Sequence, residues 1–304
     1  MAAAQPRHSA LASLDAADVW LNSPPLTAAA LGGRAVLVDF WTYSCVNWLR
    51  TLPYVRAWSE RYADRGLVVV GVHAPEFGFE HDLANVRRAV SDLDVPYPVV
   101  IDNDFAIWRA FGNHYWPAAY LVDGTGRVRY HHFGEEAYAE TERAIQSLLA
   151  IEEDLVEVDV SGFTAPADWA ALRSPETYVG FARGDPARAT VADLGPNEWA
   201  LSGDWVVAEE HAALRAGGGA VAYRFEARDL NLVLGADRPV PFTVLLDGAP
   251  PGDDAGVDTD PAGAGVLAEP RMYQLVRTRG PVRERTFELR FAGPGARAYV
   301  FTFG

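Results

Sequence analysis

The alternation of strand and helix signals stops near residue 150, and short apolar runs of period two replace it to the end of the chain. One domain does not accommodate both patterns. Strand–helix alternation builds a sheet covered by helices, whereas many short strands separated by turns build a sandwich. A length of 304 residues is enough for two such domains. In the first half, "RAVLVDFW" (34–41), "LVVVGVHA" (67–74) and "YPVVIDN" (97–103) read as buried strands. Between and after them, 47–66, 82–93, 104–112 and 135–150 read as helices, and 118–134 as two strands around a glycine turn. Pro53 is expected to kink the first of these helices, and Gly66 to close it. In the second half, "EWALSGDWVVAEE", "AVAYRFEA", "PFTVLLDG" and "RTFELRFA" are typical runs, with Tyr223 and Phe225 alternating against Arg224 and Glu226. The expected division is 1–150, a connector at 151–175, and 176–304. No internal repeat has a fixed period, and 248–268 reads as a low-complexity loop.

The stretch "AVLVDFWTYSCVNWLRTLP" (35–53) holds the single cysteine, Cys45. It runs from an apolar strand through an aromatic pair to a helix expected to start near Asn47. Unpaired N–H groups at a helix start favour negative charge and so promote the thiolate, the form that reacts. One cysteine makes no internal disulfide, so the fold is not stapled and the cysteine count gives no support to an oxidising compartment.

"LVDFWTYSCVNW" resembles a thioredoxin active-site segment, which carries Asp-Phe-Trp and then Cys-x-x-Cys at the helix start. It is most similar to the TlpA-like redoxins, in particular to the soluble C-terminal region of the DipZ-type proteins. Residues 18–22 and 34–41 resemble that family's first strands. "YWPAAYLVD" (115–123) resembles its loop with a cis-proline opposite the active site. "PETYVG" (175–180), "LSGDWVVAEE" (201–210), "MYQLVR" (272–277) and "AYVFTFG" (298–304) resemble its second domain, itself similar to a carbohydrate-binding-module jelly roll. The resemblance therefore implies an α/β thioredoxin fold followed by an all-β jelly-roll sandwich. It implies that Cys45 is the attacking cysteine, Asp39 the buried aspartate that helps move a proton, and Pro117 the cis-proline that shapes the substrate groove. Trp48 stands where the resolving cysteine belongs, and there the chain departs from the family.

A dithiol enzyme uses its second cysteine to expel the mixed disulfide. With Trp48 that step is closed, and three readings remain. The first is a monothiol thiol–disulfide oxidoreductase, acting on a protein disulfide or thiol with a small-molecule thiol as co-substrate. The second is a redox-inactive binding or scaffold module in which Trp48 shields or replaces the thiol. The third is a one-cysteine peroxidase with Thr42 three residues before the sulfur and an arginine such as Arg127 or Arg129 nearby. No bound cofactor is implied. Among the histidines, His73, His114, His131 and His132 match no ligand spacing. Asp253, Asp254, Asp258 and Asp260 lack the spacing of a calcium loop. Trp169, Trp199, Trp205, Tyr178 and Tyr273 are the aromatics that a sugar-binding or protein-binding sandwich would use, against the plainer role of core packing.

The formal net charge of −15 offers no basic stripe for phosphates, so a nucleic-acid or anionic-membrane partner is not expected. No window approaches about eighteen consecutive apolar residues, and no membrane segment is expected. The N-terminal stretch shows no charged region followed by an apolar one, so the sequence by itself leans to a cytoplasmic location. The family that the chain resembles works outside the cytoplasm.

Overall fold

The computed structural model describes residues 10–188 and 190–304. The start of the N-terminal stretch read above, 1–9, lies outside the described residues. The chain divides into two compact units between Val160 and Ser161, inside the 151–175 segment.

The first unit runs β1 (Trp20–Leu21), α1 (Ala28–Leu31), β2 (Ala35–Trp41), α2 (Val46–Arg61), β3 (Leu67–His73), α3 (Leu83–Asp92), β4 (Val99–Ile101), α4 (Ala106–Phe111), β5 (Ala118–Val122), β6 (Val128–Phe133) and α5 (Tyr138–Leu149). These strands form one mixed sheet in the order β1-β4-β3-β2-β5-β6. Strands β2, β3 and β4 are parallel, and β5 and β6 close one side as an antiparallel hairpin. Parallel neighbours need a long crossover, which α2 and α3 supply. This is the thioredoxin fold. All seven residues of β2 are buried, because a central strand with both faces covered has no solvent side. That explains its apolar run, in which Asp39 is the one polar residue.

Helix α2 starts one residue earlier than the spacing predicts, and Cys45 is its N-cap. Pro53 lies inside it. The helix stops at Arg61, and a short 3-10 turn, Ala63–Arg65, leads to Gly66, whose φ of 104° closes the segment in the left-handed region. The predicted Gly66 cap is therefore used one 3-10 turn beyond the α-helix proper. On α5, the buried Glu142 accepts Trp58 Nε1–H at 3.1 Å, the Tyr62 hydroxyl at 2.5 Å and the Val156 N–H at 2.9 Å. It ties α2 to the start of the connector.

The second unit holds β7 (Thr177–Tyr178), β8 (Trp199–Ser202), β9 (Trp205–Val207), β10 (Ala212–Leu214), β11 (Ala220–Phe225), β12 (Asp229–Gly235), β13 (Val240–Leu246), β14 (Ala264–Leu267), β15 (Arg271–Arg277), β16 (Arg285–Phe291) and β17 (Arg297–Phe303). One sheet runs β15-β12-β17-β10-β9, with β7 also on β17; the other runs β14-β13-β16-β11-β8. Alternate residues such as Leu230, Leu232 and Leu234 from one sheet and Phe287, Leu289 and Phe291 from the other share a single core. This is a β-sandwich, built from the period-two pattern. The 248–268 segment is more ordered than its composition suggests, since it includes β14. Its acids have local partners: Asp254 accepts the Arg279 N–H, Asp258 the Arg271 guanidinium and Gln274 N–H, and Asp260 the Ala264 N–H. Among the described residues, no helix is long and apolar enough to cross a membrane, and no group of three or more His, Cys, Asp or Glu could hold a metal.

Candidate active site

Cys45 sits where β2 gives way to α2, partly exposed. Its N–H bonds to the Thr42 carbonyl at 3.3 Å, which closes a tight turn over Tyr43 and Ser44. Its sulfur faces the Trp116 carbonyl at 3.9 Å. The Trp116–Pro117 bond is cis. The loop carrying it is held at both ends: Trp116 Nε1–H donates to Ala74 O at 3.0 Å, and the Pro117 carbonyl accepts the Gly134 N–H at 2.8 Å. Thus two of the four sequence-selected residues, Cys45 and Pro117, come together through the Trp116 carbonyl, with Cys45 partly exposed and Pro117 buried.

The other two meet inside. Trp48 is one helical turn beyond Cys45 and points into the core, with no exposed surface. Its ring stacks on Trp41 at 4.2 Å between centroids. Its Nε1–H donates to Asp39 Oδ2 at 3.0 Å, and the Tyr97 hydroxyl reaches the same oxygen at 3.4 Å. Trp48 is therefore packed in the interior, where it satisfies one oxygen of the buried acid. Asp39 Oδ1 and Trp41 Nε1 have no hydrogen-bond partner among the described residues. Burial pushes the Asp39 carboxyl up to about 7, against the downward pull of its hydrogen bonds to Trp48 and Tyr97. Burial, then the Asp39 charge, raise the Tyr97 hydroxyl well above its ordinary range.

This interior leaves little room. Gly71 on β3 is the register partner of Asp39. A Cβ there would come within 2.9 Å of Trp41 Nε1 and 3.0 Å of Tyr97 Cε2. Gly71→Ala is expected to destabilise the protein by about 1–3 kcal/mol, the usual cost of overpacking. Urea unfolding checks this, and an unchanged midpoint would mean that the aromatic cluster yields easily.

Several residues of the site carry no sequence signal. Glu80 is fully buried and accepts the Ser44 hydroxyl at 2.6 Å. Arg50, also buried, pairs with Glu135 at 2.7 Å. His73 is buried between Trp41, at 4.9 Å, and Tyr43, at 5.8 Å, and burial depresses its pKa to about 3. A lone charged residue looks the same in sequence whether it faces water or the core. The peroxidase arginines do not gather here as proposed. Arg127 donates its N–H to Asp123 and Arg129 pairs with the same acid at 3.7 Å, both on the β5–β6 hairpin.

In the sandwich, Trp199 and Tyr273 are buried in the core. Trp205 and Tyr178 are partly buried, and Trp205 Nε1–H donates to Ser202 O at 2.9 Å. Of the five aromatics singled out, Trp169 alone is exposed, at 49%.

Residues 13–149 match the Redoxin family model, and residues 174–304 match the model of a thioredoxin-like C-terminal domain. Protein DipZ of Mycobacterium bovis is 33% identical over 302 residues, covering 94% of this chain and 41% of DipZ. The thiol-disulfide oxidoreductase YkuV of Bacillus subtilis is 30% identical over 131 residues, 43% of this chain and 88% of YkuV. Among solved structures, a thioredoxin-like protein in the oxidized form is 30% identical, with 49% of this chain and 100% of that one covered at a TM-score of 0.42. The chain spans about two fifths of the length of the DipZ proteins it matches, 41%.

Proposed function

Because the chain belongs to the redoxin family of thioredoxin-fold proteins, in a two-domain form with a thioredoxin-like C-terminal domain, we propose that it is a monothiol thiol–disulfide exchange protein working through Cys45. The observation that carries this reading is the arrangement of the sulfur. Cys45 is a partly exposed residue at the start of α2, its sulfur beside the cis-Pro117 loop, while the position of a resolving thiol is taken by the fully buried Trp48. The Cys45 thiolate attacks one sulfur of a client disulfide. A Cys45–client disulfide forms and the other client sulfur leaves as thiolate. An external small thiol, as its thiolate, then attacks the client sulfur of that bond. The products are a client–small-thiol disulfide and regenerated Cys45 thiolate.

Mass spectrometry of the reduced protein mixed with oxidised glutathione tests this. A single adduct on Cys45 is expected, stable on dilution and lost when reduced glutathione is added. Cys45→Ser should form none. If Cys45 stays unmodified in the folded protein, the exchange reading is wrong and the non-catalytic binding reading takes over. That second reading draws support from Trp48, which completes a packed interior around Asp39 without a second thiol. For the sandwich domain we favour a protein-facing role over sugar stacking, since Trp169 is the one well-exposed aromatic of the set. A titration with soluble oligosaccharides is expected to give no shift in Trp fluorescence.

A further inference from the structure

We propose that Glu80 is a positioning residue for Cys45: it holds the turn that carries the sulfur, and its charge sets the pH at which the thiol ionises. The inference rests on Cys45 being the nucleophile proposed above.

Glu80 lies in a short 3-10 turn, Gly78–His81, between β3 and α3, and exposes no surface. One carboxyl oxygen accepts the N–H groups of Glu76, at 2.5 Å, and Phe77, at 3.0 Å. The other accepts the hydroxyl of Ser44, the residue immediately before Cys45, at 2.6 Å. The same loop grips Tyr43, whose hydroxyl donates to the Phe79 carbonyl at 3.4 Å and whose ring packs on that of Phe79 at 6.0 Å. Both residues of the turn before the sulfur are thus held by the 77–80 segment. Apolar packing alone could hold a loop. A buried carboxyl is an expensive way to do so unless its hydrogen bonds or its charge are used.

The carboxyl is hydrogen-bonded to the residue that precedes the nucleophile in the chain. Burial, and then the nearby Glu76, push the Glu80 carboxyl up to about 7, while the bonds from Ser44 and Phe77 N–H pull it down. The other titratable groups on the elements around Cys45 include Asp39 on β2, which burial raises to about 7, His73 on β3, kept neutral by burial, His81 on the same turn, and Asp82, which caps α3 by accepting the Ala84 N–H. An ionised Glu80 opposes a thiolate at Cys45, so the two groups titrate as a coupled pair.

The experiment is the rate of Cys45 alkylation by iodoacetamide, followed by mass spectrometry from about pH 5 to about pH 10, the span over which carboxyl and thiol ionise. The unsubstituted protein is expected to give a broad, two-step curve. Glu80→Gln keeps one oxygen for the Glu76 and Phe77 N–H groups, presents its amide N–H to the Ser44 hydroxyl oxygen, and removes the charge. It is expected to displace the curve to lower pH, with alkylation about 3–10-fold faster near neutrality. Glu80→Asp, which keeps the charge, is expected to return the curve toward that of the unsubstituted protein. A single one-proton step in the unsubstituted protein overturns the proposal, and this arm needs no variant to fold. So does a Glu80→Gln curve that superimposes on the unsubstituted one with native far-UV circular dichroism. Alkylation needs no client disulfide, so a two-step curve in a protein that forms no glutathione adduct would sink the exchange reading and leave the coupling standing.

Discussion

Trp48→Cys is expected to restore release from within the molecule, at a cost of about 3–5 kcal/mol in stability. The cost follows from what the indole does. It is fully buried, stacks on Trp41 at 4.2 Å and satisfies Asp39 Oδ2 at 3.0 Å. Truncating a buried Trp leaves a cavity that the neighbours fill only in part. The gain follows from position. Residue 48 is one helical turn from Cys45, so an introduced thiolate can attack the Cys45 sulfur of the mixed disulfide. The client then leaves as thiolate, and the two protein sulfurs are left joined until a reductant resets them. The lifetime of a Cys45–peptide disulfide in the absence of added thiol is the measurement. It should fall at least about tenfold, because the attacking group is held beside its target. A folded variant whose adduct still waits for external thiol would show that the position cannot serve a resolving thiol, and that the departure from the family reaches beyond one side chain.

The second large effect is on the pH dependence of stability. The Asp39 carboxyl ionises near 3.8 when unfolded and near 7 in the native protein. Between those values the native state binds more protons than the unfolded chain, so the contribution of this group to stability falls as pH rises and levels off above about 7. A shift of that size is about 4 kcal/mol, to order of magnitude. Glu80, raised from 4.5 to about 7, adds a loss of the same sign. Asp39→Asn removes the first contribution and keeps an oxygen that can accept the Trp48 N–H. Urea unfolding at about pH 5 and about pH 8 should show a smaller fall in stability than in the unsubstituted protein, while the buried neutral His73, lowered from 6.5 to about 3, contributes a rise over part of the same range in both. The variant should also be more stable than the unsubstituted protein at the higher pH. An unchanged pH slope would mean that Asp39 ionises in the native state much as it does in the unfolded one. The same buried acid would assist a resolving cysteine as proton acceptor, so Asp39→Asn in the Trp48→Cys background should slow the restored release.

How far the sequence could be read depended on which physical signal each part carries. The central strand β2 was legible because both its faces are buried, which demands an apolar run. The sandwich was legible because one-sided burial demands period two. Residues 264–267 escaped that reading: a short strand with exposed Ala264 and Val266 carries almost no apolar pattern. Cys45 at a helix start was visible, and its N-cap position was missed by one residue. Trp48 could be recognised as out of pattern, but whether it covered the sulfur or turned inward was open. The helix places residue 48 on the core side, where Trp41 and the Asp39 carboxylate give the ring a stacking face and its N–H an acceptor.

The order of the main elements, the two folding patterns, the single cysteine and the tryptophan three residues after it were legible in the chain itself, since each rests on local periodicity or residue identity. Tertiary structure alone decided the pairing of Trp48 with Asp39, the grip of Glu80 on Ser44 36 residues away, and the burial of Arg50 against Glu135. These depend on where distant segments cross and on how much water is excluded there. A carboxyl has the same letter in solvent and in a core, and its chemistry differs because only the folded chain removes the water around it.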